Sequence, residues 1–206
     1  MKKNALLTVF KTTLSLFVPL IAFPYISRVL QVDAIGKYNF SSSIISYFVL
    51  LAGLGVSTYA IREGAKIRES RNQVSQFVSE VFFINCISTT LSYVLLILCL
   101  VIIPKLHDYT WVIIILSVQI IFTTYGRSWV YNIFEDFGYV TLVQVGFQIL
   151  SIVLLFLLVH RPEDIYFYAI INVLSSTGAN LLYGIHAKKY VDFKKIKLIN
   201  LRRHIR

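Results

Sequence analysis

Six long apolar runs, almost free of charge, decide what this chain can become. They cover roughly residues 5–30, 39–61, 77–103, 110–134, 139–159 and 166–187. Each is long enough to cross a hydrocarbon core of roughly 30 Å as a helix, at about 1.5 Å per residue. A soluble domain would have to leave much of that surface in water, where it would form aggregating patches. The composition agrees, with 57% hydrophobic and only 15% charged residues and a mean hydropathy of +0.71. The expected fold class is therefore an all-α integral membrane protein, with lipid as the solvent for most of its surface. Residues 1–187 form a six-helix transmembrane lobe, and residues 188–206 a basic tail or the start of a linker. The opening MKKNALLTVF has a basic start like a signal peptide, but the apolar run continues to Leu30 without a small-x-small cleavage site. It reads as a retained first helix.

Charge sets the direction. With the N-terminus inside, fifteen Lys and Arg residues fall on the inner side, against four outside (Arg28, Lys37, Lys105 and Arg161), while Arg127 lies within the fourth span. This bias places both termini in the cytoplasm. The net charge of +10 is thus an orientation signal and a contact for anionic head groups of membrane lipids. No basic and aromatic face of the kind that binds single-stranded nucleic acid is present in the pattern, so nucleic acid is not an expected partner. Cys86 and Cys99 stand thirteen apart in one span and read as small buried hydrophobes.

The spans are not uniformly apolar. Ser42, Ser46, Gly53 and Ser57 share one face of the second span. Asn85, Ser88 and Ser92 mark the third, and Gln119, Thr123 and Arg127 the fourth at i, i+4 spacing. Thr141, Gln144, Gln148 and Ser151 follow in the fifth, then Asn172, Ser176 and Asn180 in the sixth, while Thr8, Thr12 and Ser15 begin a stripe on the first. Small and weakly polar residues also serve as packing contacts between membrane helices. Amides are costlier to bury, and their recurrence favours a polar or hydrated interior such as a transporter has. Pro19 and Pro24 interrupt the hydrogen bonding of the first span, which makes it either statically kinked or a gating bend.

No enzymatic constellation emerges. The four histidines lie at or beyond span ends without metal-ligand spacing. Gly53-Leu54-Gly55 lacks the preceding strand and the third glycine of a dinucleotide loop, and there is no phosphate-binding P-loop. No cofactor or metal is expected, and the chain reads as a non-enzyme. Glu63, Glu80, Glu135 and Asp136 read as solvated charge or as partners of nearby basic residues near the inner surface. Two arginines stand apart. Arg127 either snorkels to the head groups or faces the lumen as a cation, and Arg28 carries the same two readings near the outer end of span one.

The stretch PYISRVLQVDAIGKYNFSSSIISYFVLLAGLGVSTYAIREGAKIR resembles the first two helices of bacterial polysaccharide flippases of the O-antigen transporter type, within the superfamily of multidrug and oligosaccharidyl-lipid exporters. The carrying residues are Pro24 with Ser27-Arg28-Val29-Leu30, then Gly36-x-Tyr38, then Gly55 and Ala60-x-Arg62-Glu63. WVYNIFEDFGYV adds Trp129 and Glu135 around the fourth helix. Two positions depart from the family's pattern: Gln31 stands where a glycine follows the leucine of span one, and Ile133 or Phe134 where a glycine precedes Glu135.

The resemblance implies two six-helix lobes around a central cavity. It also implies movement of a polyprenyl-diphosphate-linked oligosaccharide from the inner to the outer leaflet of the bacterial cytoplasmic membrane, by alternating access. Arg28 and Arg127 become candidate contacts for the diphosphate, with Arg62 at the inner mouth and Gln119, Gln144, Gln148 and Asn172 on the cavity wall. The chain supplies one lobe, so its partners would include a missing second lobe or a second copy of itself. A polymerase and other polysaccharide assembly proteins would join it. Two other readings remain: a cation-coupled drug exporter, against which the lack of mid-membrane carboxylates argues, and a non-transporting scaffold for polymer assembly.

Overall fold

Runs of Leu, Ile, Val and Phe without helix-ending punctuation form helices here, because in lipid the backbone must satisfy its own hydrogen bonds. The computed structural model describes residues 2–53 and 55–191, with side chains from Thr12 onward apart from those of Leu14 and Leu54. The Thr8 side chain and the basic segment 192–206 lie outside the described residues. The helices are α1 (Lys2–Val29), α2 (Gln31–Gly53), α3 (Val56–Lys66), α4 (Arg71–Ile102), α5 (Thr110–Gly126), α6 (Trp129–Ile133), α7 (Phe137–Leu158), α8 (Ile165–Val173) and α9 (Ala179–His186). A π-helical segment, Leu174–Gly178, joins α8 to α9. Five helical stretches among the described residues are long and apolar enough to span a membrane, and Ser15–Val29 of α1 adds a shorter apolar helix. The protein is an all-α, multi-pass membrane helix bundle.

Two spans differ from the sequence expectation. The second begins earlier, since QVDAIGKY is not a connecting loop but the first two turns of α2. It also breaks before its end, where Gly55 adopts φ +68°, a left-handed conformation that costs glycine little. The fourth breaks at Arg127, which has φ 45° and separates α5 from α6. The break at Gly55 follows no charged residue, and the one at Arg127 falls on a residue whose charge reads equally well as part of a helical polar stripe.

Gln31 also has positive φ, at 61°. It occupies the position where the resembled family has glycine, so the backbone turn is kept while the residue that makes it inexpensive is not. At the other departure the left-handed residue is Glu135 itself, at φ 56°.

The central core gathers α2, α4, α5 and α8 around Ile45, Ala52, Leu96, Val112, Leu116 and Ala169. Here the third span's stripe resolves into packing. Ser88 Oγ donates to the Ala52 carbonyl at 2.6 Å and Ser92 Oγ to the Phe48 carbonyl at 2.8 Å, so these hydroxyls clip α4 to α2. The α2 residues facing that seam are Ser41, Ile45 and Ala52. Ser46 and Ser57 point away from the bundle and are exposed. A second core joins α3, α4 and α6 through Ala60, Val74, Val78, Val81, Trp129 and Ile133. A third joins α1 to α7 through Ile26, Leu30, Leu155 and Val159. The outer surface is apolar, with Leu142 at 76% exposure and Leu50 at 74%, as a lipid-facing surface requires.

The two ends of the bundle differ in charge. Arg62, Lys66, Arg68, Arg71, Lys188 and Lys189 sit at one end, where α3 finishes, α4 begins and α9 finishes. Arg28, Lys37, Lys105 and Arg161 sit at the other.

Candidate functional site

Three polar stripes meet in one place. Between α1, α7 and α8 lies a cavity of about 410 Å³. From α1 come Ser15, Pro19 and apolar residues at helical spacing; from α7 come Gln144, Gln148 and Ser151; from α8 and the π segment come Tyr168, Asn172, Ser175 and Ser176. The spacing explains the convergence. Positions 168, 171, 172, 175 and 176 repeat as i, i+3, i+4, i+7 and i+8, which is one face of a helix. Ser175 is the polar member an i, i+4 count misses, while Tyr168 stands four residues before Asn172 and extends the stripe by one turn.

Gln148 is 6% exposed, and its Oε1 accepts no hydrogen bond from the protein. The hydroxyls around it are internally committed: Ser15 to the Thr12 carbonyl, Ser151 to the Phe147 carbonyl and Ser176 to the Asn172 carbonyl, each at 2.7 Å. Asn172 Nδ2 likewise donates to the Tyr168 carbonyl at 3.1 Å. Among the described lining residues none is charged. Below the cavity Gly178 lets α7 approach, since a Cβ there would stand 2.6 Å from Phe147 Cδ1.

The sequence candidates therefore separate. Gln144, Gln148, Asn172 and Pro19 are brought together on this wall. Pro24 is exposed, and α1 remains helical through both prolines. Gln119 is half-buried on α5 and its carbonyl accepts from Thr123 Oγ1 at 2.7 Å. Arg28 is exposed in the last turn of α1. Asn180 leaves its stripe altogether, because the widened π turn rotates α9 relative to α8. It packs against Gly126 of α5 instead.

Arg127 takes an arrangement that neither sequence reading contained. It is 8% exposed, and its guanidinium carbon lies 3.7 Å from the centroid of the Phe82 ring on α4 and 5.6 Å from that of Tyr125. A desolvated cation–π contact of this kind is worth about 2 kcal/mol. Phe82 gave no signal in the sequence that it would serve as this partner. Of the two readings of Glu80, solvated charge does not hold: it is 3% exposed on α4 and accepts from Gln76 Nε2 at 3.1 Å. Cys86 and Cys99 are free and half-buried rather than fully buried.

The family-motif residues cluster at the strongly charged end. Arg62 Nε and Lys66 Nζ both pair with Glu63 Oε1, at 3.1 and 2.9 Å. Arg68 Nη1 pairs with Glu135 Oε1 at 3.0 Å, tying the turn after α3 to the turn after α6. Gly64 allows the same approach, for a Cβ there would meet Ile133 Cδ1 at 2.3 Å. Trp129 is buried in the core beneath. Asp136 caps α7 through the Tyr139 amide and takes the Tyr190 hydroxyl. Tyr131, Tyr139, Tyr183 and His186 pack around it, with Tyr131 OH donating to the Tyr183 carbonyl at 2.7 Å. Burial, together with the Asp136 carboxylate, raises the Tyr190 hydroxyl above the ordinary tyrosine pKa. At the opposite end the Tyr38 and Tyr168 rings pack at a tilt of 59° with centroids 4.6 Å apart, while Gly36 meets nothing that a side chain would disturb.

Fold and site together define a multi-pass membrane bundle with a polar cavity among its helices, uncharged among its described lining residues. The model of a family described as "Polysaccharide biosynthesis protein" matches residues 1–206, and the chain belongs to that family. A "Putative O-antigen transporter" from Escherichia coli (strain K12) is 24% identical over 169 residues, which is 82% of this chain and 40% of the relative. The chain thus spans about two fifths of the length of the curated relative it matches. No solved structure matches it. The relative's description is that of a transporter and not of a catalyst, in line with the non-enzymatic character read from the sequence.

Proposed function

We propose that this chain is one lobe of a flippase that carries polyprenyl-diphosphate-linked oligosaccharides across the bacterial cytoplasmic membrane for surface polysaccharide synthesis. The observation that carries the proposal is the amide-lined cavity between α1, α7 and α8, with no charge among its described lining residues, in a chain of a polysaccharide biosynthesis family. Buried amides within a membrane bundle are costly, and they repay that cost where they meet a polar cargo. The second lobe, or a second copy of this chain, would complete a central passage opened alternately to each side. The excess of Lys and Arg at the end bearing Arg62 favours that end as cytoplasmic, with both termini there.

Arg28 is the arginine most available to a diphosphate, being exposed where α1 ends. Arg62 is exposed but already paired with Glu63, and Arg127 is committed to Phe82. Pro19, on the cavity wall, is the favoured hinge of the two prolines. The cavity itself contains no carboxylate among its described lining, so the exporter remains the weaker assignment.

Deletion of the gene tests the proposal. Surface polymer should be lost and lipid-linked repeat units should accumulate on the inner leaflet, both corrected by the wild-type gene. Unchanged polymer in the deletion strain would remove the flippase assignment, and full correction by Arg28→Ala would remove Arg28 from the head-group site.

A further inference from the structure

We propose that the cavity between α1, α7 and α8 binds one uncharged, polyhydroxylated unit, a neutral hexose of a glycan, and discriminates against carboxylated sugars. This rests on the function proposed above and deepens it to a subsite inside a single lobe.

Hydrogen-bond inventory carries the inference. The Ser15, Ser151 and Ser176 hydroxyls spend their protons on backbone carbonyls, and the Asn172 amide gives one of its two N–H groups to the Tyr168 carbonyl. What the three hydroxyls and the Asn172 amide oxygen offer the cavity is therefore lone pairs. Gln148 Oε1 adds an acceptor that is buried and accepts from nothing in the protein, a condition that disfavours the site unless a donor enters it. A sugar hydroxyl meets both demands, donating to these acceptors while accepting from a glutamine amide. A carboxylate offers only acceptors. With no charged residue among the described lining, nothing would offset its loss of hydration. An ammonium group would satisfy the acceptors but lacks a counter-charge for the same reason.

Size and shape agree. About 410 Å³ falls within the range of small-molecule pockets, about 300–1,000 Å³. Ala22, Ile26 and Leu155 supply an apolar floor for the C–H face of a pyranose, and the Tyr168 ring stands beside it.

The test uses the purified chain in lipid nanodiscs, with methyl α-glucopyranoside and methyl α-glucopyranosiduronate as probes, read by saturation-transfer NMR. The glucoside is expected to receive saturation and the uronoside to bind at least about tenfold more weakly. Gln148→Leu and Asn172→Leu should each weaken glucoside binding about tenfold, the effect of losing one hydrogen-bonding group in a buried site. Each variant's thermal midpoint is checked first, and if one fails to fold the other decides. Equal binding of the two probes overturns the inference. So does undiminished binding in the folded variants, or no glucoside binding at all, which would make the cavity a hydrated packing space. Glucoside silence in a chain whose gene restores surface polymer overturns this inference alone. Glucoside binding in a chain whose deletion spares the polymer overturns the flippase assignment alone.

Discussion

Gly126→Ala places a methyl group where α5 packs closely against α9. Its Cβ would stand 2.4 Å from Asn180 Cβ and 2.6 Å from both Cγ and Oδ1, against an ordinary carbon contact of about 3.5–4.0 Å. The nearest atom is itself a Cβ, fixed by the α9 backbone, so no rotation of the Asn180 side chain relieves the overlap. The helices must separate by roughly 1 Å at this point, and overpacking of this sort costs about 1–3 kcal/mol. The better helix propensity of alanine offsets up to about 1 kcal/mol.

We expect net destabilisation of about 1–2 kcal/mol, measured by equilibrium unfolding of the chain in mixed micelles with increasing SDS. Gly146→Ala is the control, because nothing lies within 4 Å of a Cβ at that site on α7; it should be neutral or slightly stabilising. Combining Gly126→Ala with Asn180→Gly removes the opposing Cβ. The double variant should be more stable than the sum of the two single changes by at least about 1 kcal/mol, the signature of contacting residues. Equal stability of Gly126→Ala and Gly146→Ala, or strict additivity in the cycle, would refute the close approach.

Backbone conformation supplies a second pair of variants. Gly55→Ala at φ +68° has open space around its Cβ, so its cost should be the left-handed backbone penalty alone, about 1–2 kcal/mol; Gln31→Gly, at φ 61°, should instead raise the SDS midpoint. Opposite signs check the assignment. The Arg68–Glu135 pair is half-exposed, at 49% and 57%, so Arg68→Ala should cost less than about 1 kcal/mol and the difference should vanish in 1 M salt; a larger, salt-independent loss would mean that Arg68 acts through packing. The Tyr190 hydroxyl is held neutral in the fold by burial and by Asp136. Its contribution is therefore complete below the unfolded tyrosine value of about 10 and shrinks as pH climbs from there through the raised folded value. The thermal midpoint should fall less steeply above pH 10 in Tyr190→Phe than in the wild type, and identical slopes would count against the contact.

Lipid as solvent, a multi-pass helical bundle and the charge asymmetry of its ends were all legible in the sequence. Those depend on run length and on where Lys and Arg stand, and neither requires knowing which helix touches which. The sequence also contained most of the cavity, because Gln144, Gln148, Ser151, Asn172 and Ser176 repeat at helical spacing. What it could not hold was the partner of each stripe. The stripe on α4 became hydroxyl clips onto carbonyls of α2, Ser46 and Ser57 of the second span turned outward, and stripes of α1, α7 and α8 met around a cavity. Identical residue types served all three outcomes.

The interruptions of the helices were likewise decided in three dimensions. Left-handed residues at Gly55 and Arg127 broke runs whose helical periodicity continued through them, and the π turn at Leu174–Gly178 carried Asn180 off its face and onto Gly126. Arg127 shows the physical reason most directly. Its charge was legible, but a cation's environment is set by whatever side chain another helix brings beside it, and here that was the ring of Phe82. Periodicity fixes which face of a helix is polar; packing fixes what that face meets.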